Sequence, residues 1–286
     1  MGPIDLHTHT SFSDGEFPPG ELVCKAAEAG LGALAITDHD TMDGLDEALE
    51  AGAETGMEVV PGCELSVSFQ GRTMHVLGLW VRHREADALR AALAGILGGR
   101  EARNQYMVEK LRSLGMDIDY QQLLDSAQGT VGRPHMARIL VERGAVKSYE
   151  AAFRKYLGRQ GLAYAPKPSL PLEVAVASLH EARATVALAH PYLLGVSGRP
   201  LEELVRACKE IGVDALEAYY TDHSQTRTRE YIELARRLDM GVCGGSDFHG
   251  RAKPGVRLGA GRGTLRVPYE VLEDLKARRE AKGLWT

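Results

Sequence analysis

Four times along this 286-residue chain, a short apolar run of strand length ends in histidine or aspartate. "PIDL" leads into His7 and His9, "ALAIT" into Asp38 and His39, "TVALAH" closes on His190, and "GVCGGSD" leads through Asp247 to His249. Longer stretches with helical spacing lie between such runs, among them "PGELVCKAAEAG", "MDGLDEALEAGAETG" and "LEELVRACKEIG". This alternation predicts repeated βα units around a parallel sheet or barrel. In βα barrels the C-terminal ends of the strands share one face and carry the active site. The placement of these side chains therefore predicts one convergent site before any residue is given a role.

Pro18-Pro19 and Asp43 mark helix starts, and Gly30 and Gly56 mark helix ends. The stretch "ELSVSFQGRTMHVLGLWV" reads as two strands meeting in a turn near Gln70-Gly71, which interrupts the alternation. From about Glu85 to Gly161 the strand signal gives way to charged, alanine-rich helical segments such as "REARNQYMVEKLRSLG" and "HMARILVERG". Residues 85–161 are therefore expected to form a helical insertion, or cap, in a barrel built from residues 1–84 and 162–286.

A formal net charge of −5 argues against a protein that coats nucleic acid, because affinity for phosphate backbones needs clustered Lys and Arg. It leaves room for an enzyme that takes one nucleotide at a time. Cys24, Cys63, Cys208 and Cys243 form no CxxC pair, so neither a thiolate zinc site nor a disulfide framework is expected. No basic and apolar leader is seen, and no apolar run approaches the roughly 20 residues of a bilayer span. A cytoplasmic location without membrane partners is the expectation.

His7 and His9 stand at i and i+2 on an extended segment, and strand side chains alternate with period two, so both rings point to the same side. Two imidazoles so placed suit one zinc, manganese or iron ion, and carboxylates can add charge and bridge to a second. Asp14, Glu64 and Asp247 lie at the same strand ends. Each piece alone has an ordinary structural explanation, a loop hydrogen bond or an Asp cap. Their joint occurrence points to a metal centre.

Six motifs in order, "DLHTHTSFSDG", "ITDHDTMDG", "PGCELS", "HVLGL", "LAHP" and "GSDFHG", resemble the PHP (polymerase and histidinol phosphatase) family of metal-dependent phosphoesterases. With "GRPHMARILVERG" and "AAFRKYLG", the chain is similar to the small stand-alone bacterial members rather than to the domain fused to replicative polymerases. The resemblance implies an α/β fold, a distorted (β/α)7 TIM-like barrel with a helical insertion. It implies two or three divalent metal ions, zinc, manganese or iron. His7, His9, Glu64 and Asp247 would hold the first ion, and Glu64 would bridge to a second held by His75 and His190. Asp14, His39 and His249 would hold the third. One departure from the family pattern is "ARATVALAHP", which lacks the usual glycine pair and is expected to affect helix-to-strand packing rather than chemistry.

The implied reaction is hydrolysis of a phosphomonoester on a small nucleotide, a nucleoside 5′-monophosphate or 3′,5′-bisphosphate, or the trimming of 5′-phosphorylated RNA ends. Two cations about 3.5 to 4 Å apart acidify water and stabilise phosphoryl charge, so no serine or cysteine nucleophile is required. For substrate grip, Arg133 and Lys167 stand at the two ends of the insertion, with His135 beside Arg133 and His223 after a later strand. Asp38 and Asp40 flank His39, where either can orient a ligand ring, and Asp38 is the candidate proton acceptor. Histidinol-phosphate hydrolysis, amidohydrolase-type cleavage of a C–N bond and a metal-binding module without turnover are the alternatives. The metal reading predicts that substituting His7 or Asp247 with alanine abolishes phosphate-ester hydrolysis while circular dichroism stays that of the native chain. Full activity in both variants would overturn it.

Overall fold

A computed structural model describes residues 1–125, 131–166 and 169–286. Eight strands follow in chain order: β1 (Ile4–Asp5), β2 (Ala33–Ile36), β3 (Glu58–Phe69), β4 (Arg72–Leu79), β5 (Leu170–Pro171), β6 (Thr185–Leu188), β7 (Ala215–Tyr220) and β8 (Gly241–Gly245). Seven of them pair in the order β1-β2-β3-β4-β6-β7-β8, and β5 attaches beside β3. All neighbours in this ring are parallel except β4, which runs antiparallel to both β3 and β6. The ring closes past the ends of its first and last strands. Leu6 N–H donates to Gly244 O at 3.0 Å, Asp247 N–H to His7 O at 2.8 Å, and His9 N–H to Phe248 O at 3.0 Å. The result is the seven-stranded distorted barrel, with one reversed strand.

Strand alternation divides the apolar side chains between two buried faces, the pattern of a sheet covered on both sides. Ala33 and Ala35 of β2 belong to the inner cluster with Ile4, Leu6, Leu77, Leu79, Trp80, Ala187 and Cys243. Leu34 and Ile36 face the outer layer of helices. That layer contains α1 (Pro19–Glu28) and α2 (Leu45–Thr55), and its fully buried Leu22, Val23 and Leu45 each contribute roughly 1.5–3 kcal/mol of burial free energy. Gly56 ends α2 in the left-handed conformation at φ 71, but α2 begins two residues after Asp43. Gln70 and Gly71 join β3 to β4 with φ of 48 and 71, the left-handed pair of a tight hairpin turn.

The long helix α3 (Asp87–Ser113) follows, then α4 (Tyr120–Asp125), α5 (Arg133–Glu142) and α6 (Tyr149–Ala152), which runs into a π-turn at Phe153–Leu157. Leu89, Leu93 and Ile96 of α3 pack in the outer cluster of the barrel. Met107, Val108 and Leu111, further along the same helix, pack with Leu123, Met136, Leu140 and Tyr156 in a separate cluster. One helix thus contributes to both clusters. The chain then resumes the barrel pattern with α7 (Leu172–Glu181), α8 (Gly198–Ile211), α9 (Gln225–Arg237) and α10 (Tyr269–Ala281). No helix among the described residues is long and apolar enough to cross a membrane.

Closure leaves no room at Gly245, where a Cβ would lie 2.4 Å from His7 N and 2.5 Å from His7 Cβ. Gly245→Ala is expected to lower the unfolding free energy by about 1–3 kcal/mol. A fall in the urea midpoint at unchanged slope, with loss of divalent-ion binding, is the outcome to look for.

Candidate metal centre

Each strand end contributes to one buried space. His7 and His9 follow β1, and Asp14 returns from the turn after them. His39 follows β2, His190 follows β6, and Asp247 and His249 follow β8. Glu64 and His75 come from the part of the β3–β4 hairpin that extends beyond the last β2 pairing at Pro61. Ser66 pairs with His75 and Glu64 with Leu77, so Glu64 and His75 lie diagonally across the two strands on one face. The structure thereby brings together all nine residues that the sequence motifs single out. They form four groups whose ligand-type atoms lie within 4.8 Å of one another: His9, Asp14, His39 and His249; His7, Glu64 and His190; His7, His9 and Asp247; His39, Glu64 and His75.

Glu64 occupies the centre. Its Oε1 lies 2.6 Å from His75 Nδ1 and 2.9 Å from His190 Nε2, and its Oε2 lies 2.8 Å from His39 Nδ1, 3.3 Å from His9 Nε2 and 3.4 Å from His7 Nε2. Burial opposes ionisation of this carboxyl, but His39, His75 and His7 outweigh it and hold it well below the usual carboxylate range. Asp14 and Asp247 are depressed in the same way, against burial, by His249 and His39 in one case and by Lys253 and His7 in the other.

His7 Nε2, His9 Nε2, Asp14 Oδ1 and Glu64 Oε2 are buried without a hydrogen-bond partner. Orphaned buried polar atoms of this kind are costly unless another group satisfies them. Imidazole nitrogens and carboxylate oxygens converging in one space fit divalent cations.

A layer of polar side chains fixes the donors. His7 Nδ1 donates to Glu217 Oε1 at 2.8 Å in either protonation state, so Nε2 is the position that takes a proton when no ion is bound and would offer its lone pair to one that is. Glu217 Oε2 accepts the His190 backbone N–H at 2.5 Å. His249 Nδ1 donates to Asp247 O at 2.9 Å and so presents Nε2 to Asp14 Oδ1 at 3.1 Å. Tyr220 Oη and Lys253 Nζ both donate to Asp247 Oδ2, at 2.9 and 2.6 Å. His190, Asp247 and Asp40 hold left-handed backbone, with φ of 27, 55 and 53. Such strain costs of order 1–3 kcal/mol per residue and persists only where surrounding bonds enforce it. Here Glu217 Oε2, His7 O and Glu64 O accept the three N–H groups.

Asp38, read from sequence as the proton acceptor, faces elsewhere. Its buried carboxylate accepts Thr10 N–H at 2.7 Å, Thr10 Oγ1–H at 2.6 Å and Ser13 Oγ–H at 2.5 Å, and it belongs to none of the four groups. It braces the turn that carries Asp14. Asp40 likewise accepts Ser66 N–H at 2.8 Å and pairs with Arg100.

Two cavities adjoin the centre. The smaller, about 220 Å³, is lined by Asp14, His39 and His75 on the barrel side and by Arg100, Arg103 and Arg133 on the cap side. Arg103 donates to Ala165 O and Asn104 Oδ1 at 3.0 Å each, while its Nη2 is buried without a partner. Burial, with Arg133 and Arg100 nearby, pulls its pKa down to about 10. Arg133 is held by Leu157 O at 3.2 Å and lies 5.6 Å from the rings of Phe153 and Tyr164. The larger cavity, about 380 Å³, is lined by Asp14 and His249 together with His135 and Arg138. His223 lines neither. It donates from Nδ1 to Ala218 O at 2.8 Å and packs among Tyr192, Tyr220 and Tyr231. Lys167 lies outside the described residues.

Sequence reasoning missed Glu217, Lys253, Arg100 and Arg103. Glu217 carried a visible signal, as the charged residue within the apolar strand "ALEAYY". Glu217→Gln would set an amide N–H against either the His7 Nδ1–H or the His190 N–H, and should weaken divalent-ion affinity about 10- to 100-fold with the fold retained. Ion content after dialysis, measured beside circular dichroism, checks this.

With this geometry in hand, comparison with known proteins is direct. The family model described as PHP domain matches residues 5–158. A 5'-3' exoribonuclease of Haemophilus influenzae is 33% identical over 247 residues, 86% of this chain and 89% of that protein. A 3',5'-nucleoside bisphosphate phosphatase of Chromobacterium violaceum is 32% identical over 280 residues, 97% of this chain and 98% of that protein. A solved structure from Chromobacterium violaceum, described as an amidohydrolase with bound sulfate and no metal, superposes with a TM-score of 0.87 at 31% identity, covering 97% of each chain. Sequence, fold and donor cluster agree: this chain belongs to the PHP-domain family.

Proposed function

We propose that this protein is a metal-dependent hydrolase of phosphate esters, and that its substrate is a nucleotide or 5′-phosphorylated RNA end carrying a second phosphate beside the one attacked. The observation that carries this reading is the cavity in which Arg100, Arg103 and Arg133 face Asp14, His39 and His75. Bidentate guanidinium groups match phosphate oxygens, and the buried, unpartnered Nη2 of Arg103 is a donor prepared for an anion.

When bound, two close divalent ions acidify an attacking water and stabilise charge on the phosphoryl oxygens. The residues do the placing. Glu64, with an oxygen toward each side, joins the His75 and His190 group to the His7, His9 and His39 group. His7, His9 and Asp247 form one fully buried group, and Asp14 and His39 of the group with His9 and His249 line the cavity that holds the arginines. The arginines hold the neighbouring phosphate, which fixes the scissile ester relative to the donors and keeps the reacting group in line.

One relative is named for a nucleoside 3',5'-bisphosphate, which carries two phosphates, and another as a 5'-3' exoribonuclease. Histidinol phosphate carries a single phosphate and would leave the arginines unfilled. Amidohydrolase chemistry commonly places a modified lysine between two metals. Lys253 instead binds the outer oxygen of Asp247 together with Tyr220. A module without turnover is disfavoured by a donor at each of the nine positions.

The test is phosphate release from a nucleoside 3′,5′-bisphosphate, a nucleoside 5′-monophosphate, histidinol phosphate and a 5′-phosphorylated oligoribonucleotide, each with added manganese, zinc or magnesium. Turnover is expected to need the ion and to favour the bisphosphate or the oligoribonucleotide. Arg103→Met should lower kcat/KM on that substrate about 10- to 100-fold, the worth of a charge-assisted hydrogen bond, and leave p-nitrophenyl phosphate hydrolysis nearly unchanged. Equal losses on both substrates sink the second-phosphate assignment, and no phosphate release under any condition sinks the activity.

A further inference from the structure

The "GRPH" sequence at the start of α5 divides between the two cavities: Arg133 lines the smaller, His135 the larger, and Pro134 both. Asp14 lines both as well, so the helix start sits astride the cap-side ligand group. His135 is buried, and its ring geometry admits one protonation pattern. Gly132 N–H donates to His135 Nδ1 at 3.2 Å. Nδ1 therefore presents its lone pair, and the single proton of the neutral ring sits on Nε2. Nε2 takes no part in this capping bond, and the ring lines the cavity that contains Asp14 and His249.

We propose that His135 holds its Nε2–H as a fixed neutral donor to a non-bridging oxygen of the substrate's phosphoryl group, on the Asp14 and His249 side, and takes no part in proton transfer. The assignment rests on the phosphoesterase reading above. Protonating Nδ1 would set one N–H against another at Gly132, so the imidazolium form is disfavoured by geometry. Burial pushes the pKa down to about 4, Arg138 and Arg100 act in the same direction, and Asp14 opposes them. Glu16, Glu142, Tyr149 and Arg251 are the other ionisable groups around this cavity. Arg133 and His135 then divide the grip on substrate. Arg133 supplies charge at a distance from the reacting atoms, and His135 supplies direction where charge already comes from the ion donors.

Three variants separate this role from helix capping. Gln at this third helical position accepts the N-cap N–H as His135 does and offers an amide donor beyond it. His135→Glu keeps the cap without the donor, and His135→Leu has neither. With the best substrate and ion from the screen above, His135→Leu and His135→Glu should lose about tenfold or more in kcat/KM, and His135→Gln should recover most of it. The pH profile of kcat/KM should keep its shape in the active variants, and thermal melting of the Glu and Gln forms should match the native chain. Loss of the alkaline limb in His135→Leu without rescue by Gln identifies a general acid and overturns the proposal. Native turnover in His135→Glu reduces the residue to a helix cap and also overturns it. A readout independent of turnover is the ¹⁵N–¹H spectrum of histidine-labelled protein loaded with zinc. The Nε2–H tautomer should persist from pH 6 to 8, and its signal should move when inorganic phosphate is added. An Nδ1–H tautomer, or a signal indifferent to phosphate, counts against the donor even if every ester is hydrolysed. A fixed tautomer that responds to phosphate, in a protein without esterase activity, would remove the functional reading and leave the donor in place.

Discussion

A carboxylate buried among five imidazole rings sets the terms for everything built around it. Glu64 lies within 3.4 Å of His7, His9, His39, His75 and His190 and is only 1% exposed. A buried anion needs positive charge or hydrogen-bond donors nearby, and converging lone pairs of nitrogen and oxygen need a cation. The surrounding architecture is arranged to bring these groups together. The β3–β4 hairpin carries Glu64 and His75 beyond the ring to meet the strand ends, and the reversal of β4 follows from that excursion. After the hairpin the chain must pass down the barrel wall before the next βα unit can begin.

Holding so many polar groups in one space requires the backbone to leave its usual conformations, and each departure is tied to another wall of the barrel. The left-handed turn at His190 is fastened to β7 through Glu217, and the one at Asp247 to the end of β1 through His7 O. Asp5, below His7, accepts Ser246 N–H and Oγ–H and Gly259 N–H, so the last strand and the loop after it are also anchored to the first. Deletion of the Glu217 or Asp5 carboxylate leaves buried donors unsatisfied and loosens the residues that it holds.

Much of this was legible in the residues. The i, i+2 spacing of His7 and His9 on an extended segment and the recurrence of His and Asp after apolar runs located the strand ends and their shared face. The hairpin was visible from its alternation and from Gly71. The reversed pairing of β4 with β6 was not, because strand partners are chosen by the closed ring and no local signal records them. Asp38 shows why neighbours in sequence mislead. It lies next to His39, yet its partners Thr10 and Ser13 are 28 and 25 residues away, and they make it a brace for a turn. Arg100 and Arg103 read like any arginines on an exposed helix. Only the sharing of α3 between two apolar clusters turns them inward, beside Asp40 and Ala165.

The seam between the first and last strands bears on how the molecule folds. The hydrogen bond from Ser246 to Asp5 joins residues 241 apart, and the nine donors are spread from His7 to His249. Contacts of such separation are reached only after the entropy of closing long loops has been met. No local segment therefore contains a fragment of the centre able to hold an ion in the arrangement described. Ions that recognise the closed ring and not the open chain stabilise the native state by mass action. On the metal assignment proposed above, the same donors would also act as a clasp on the whole polypeptide, and the concentration of free metal would help to set its resistance to unfolding.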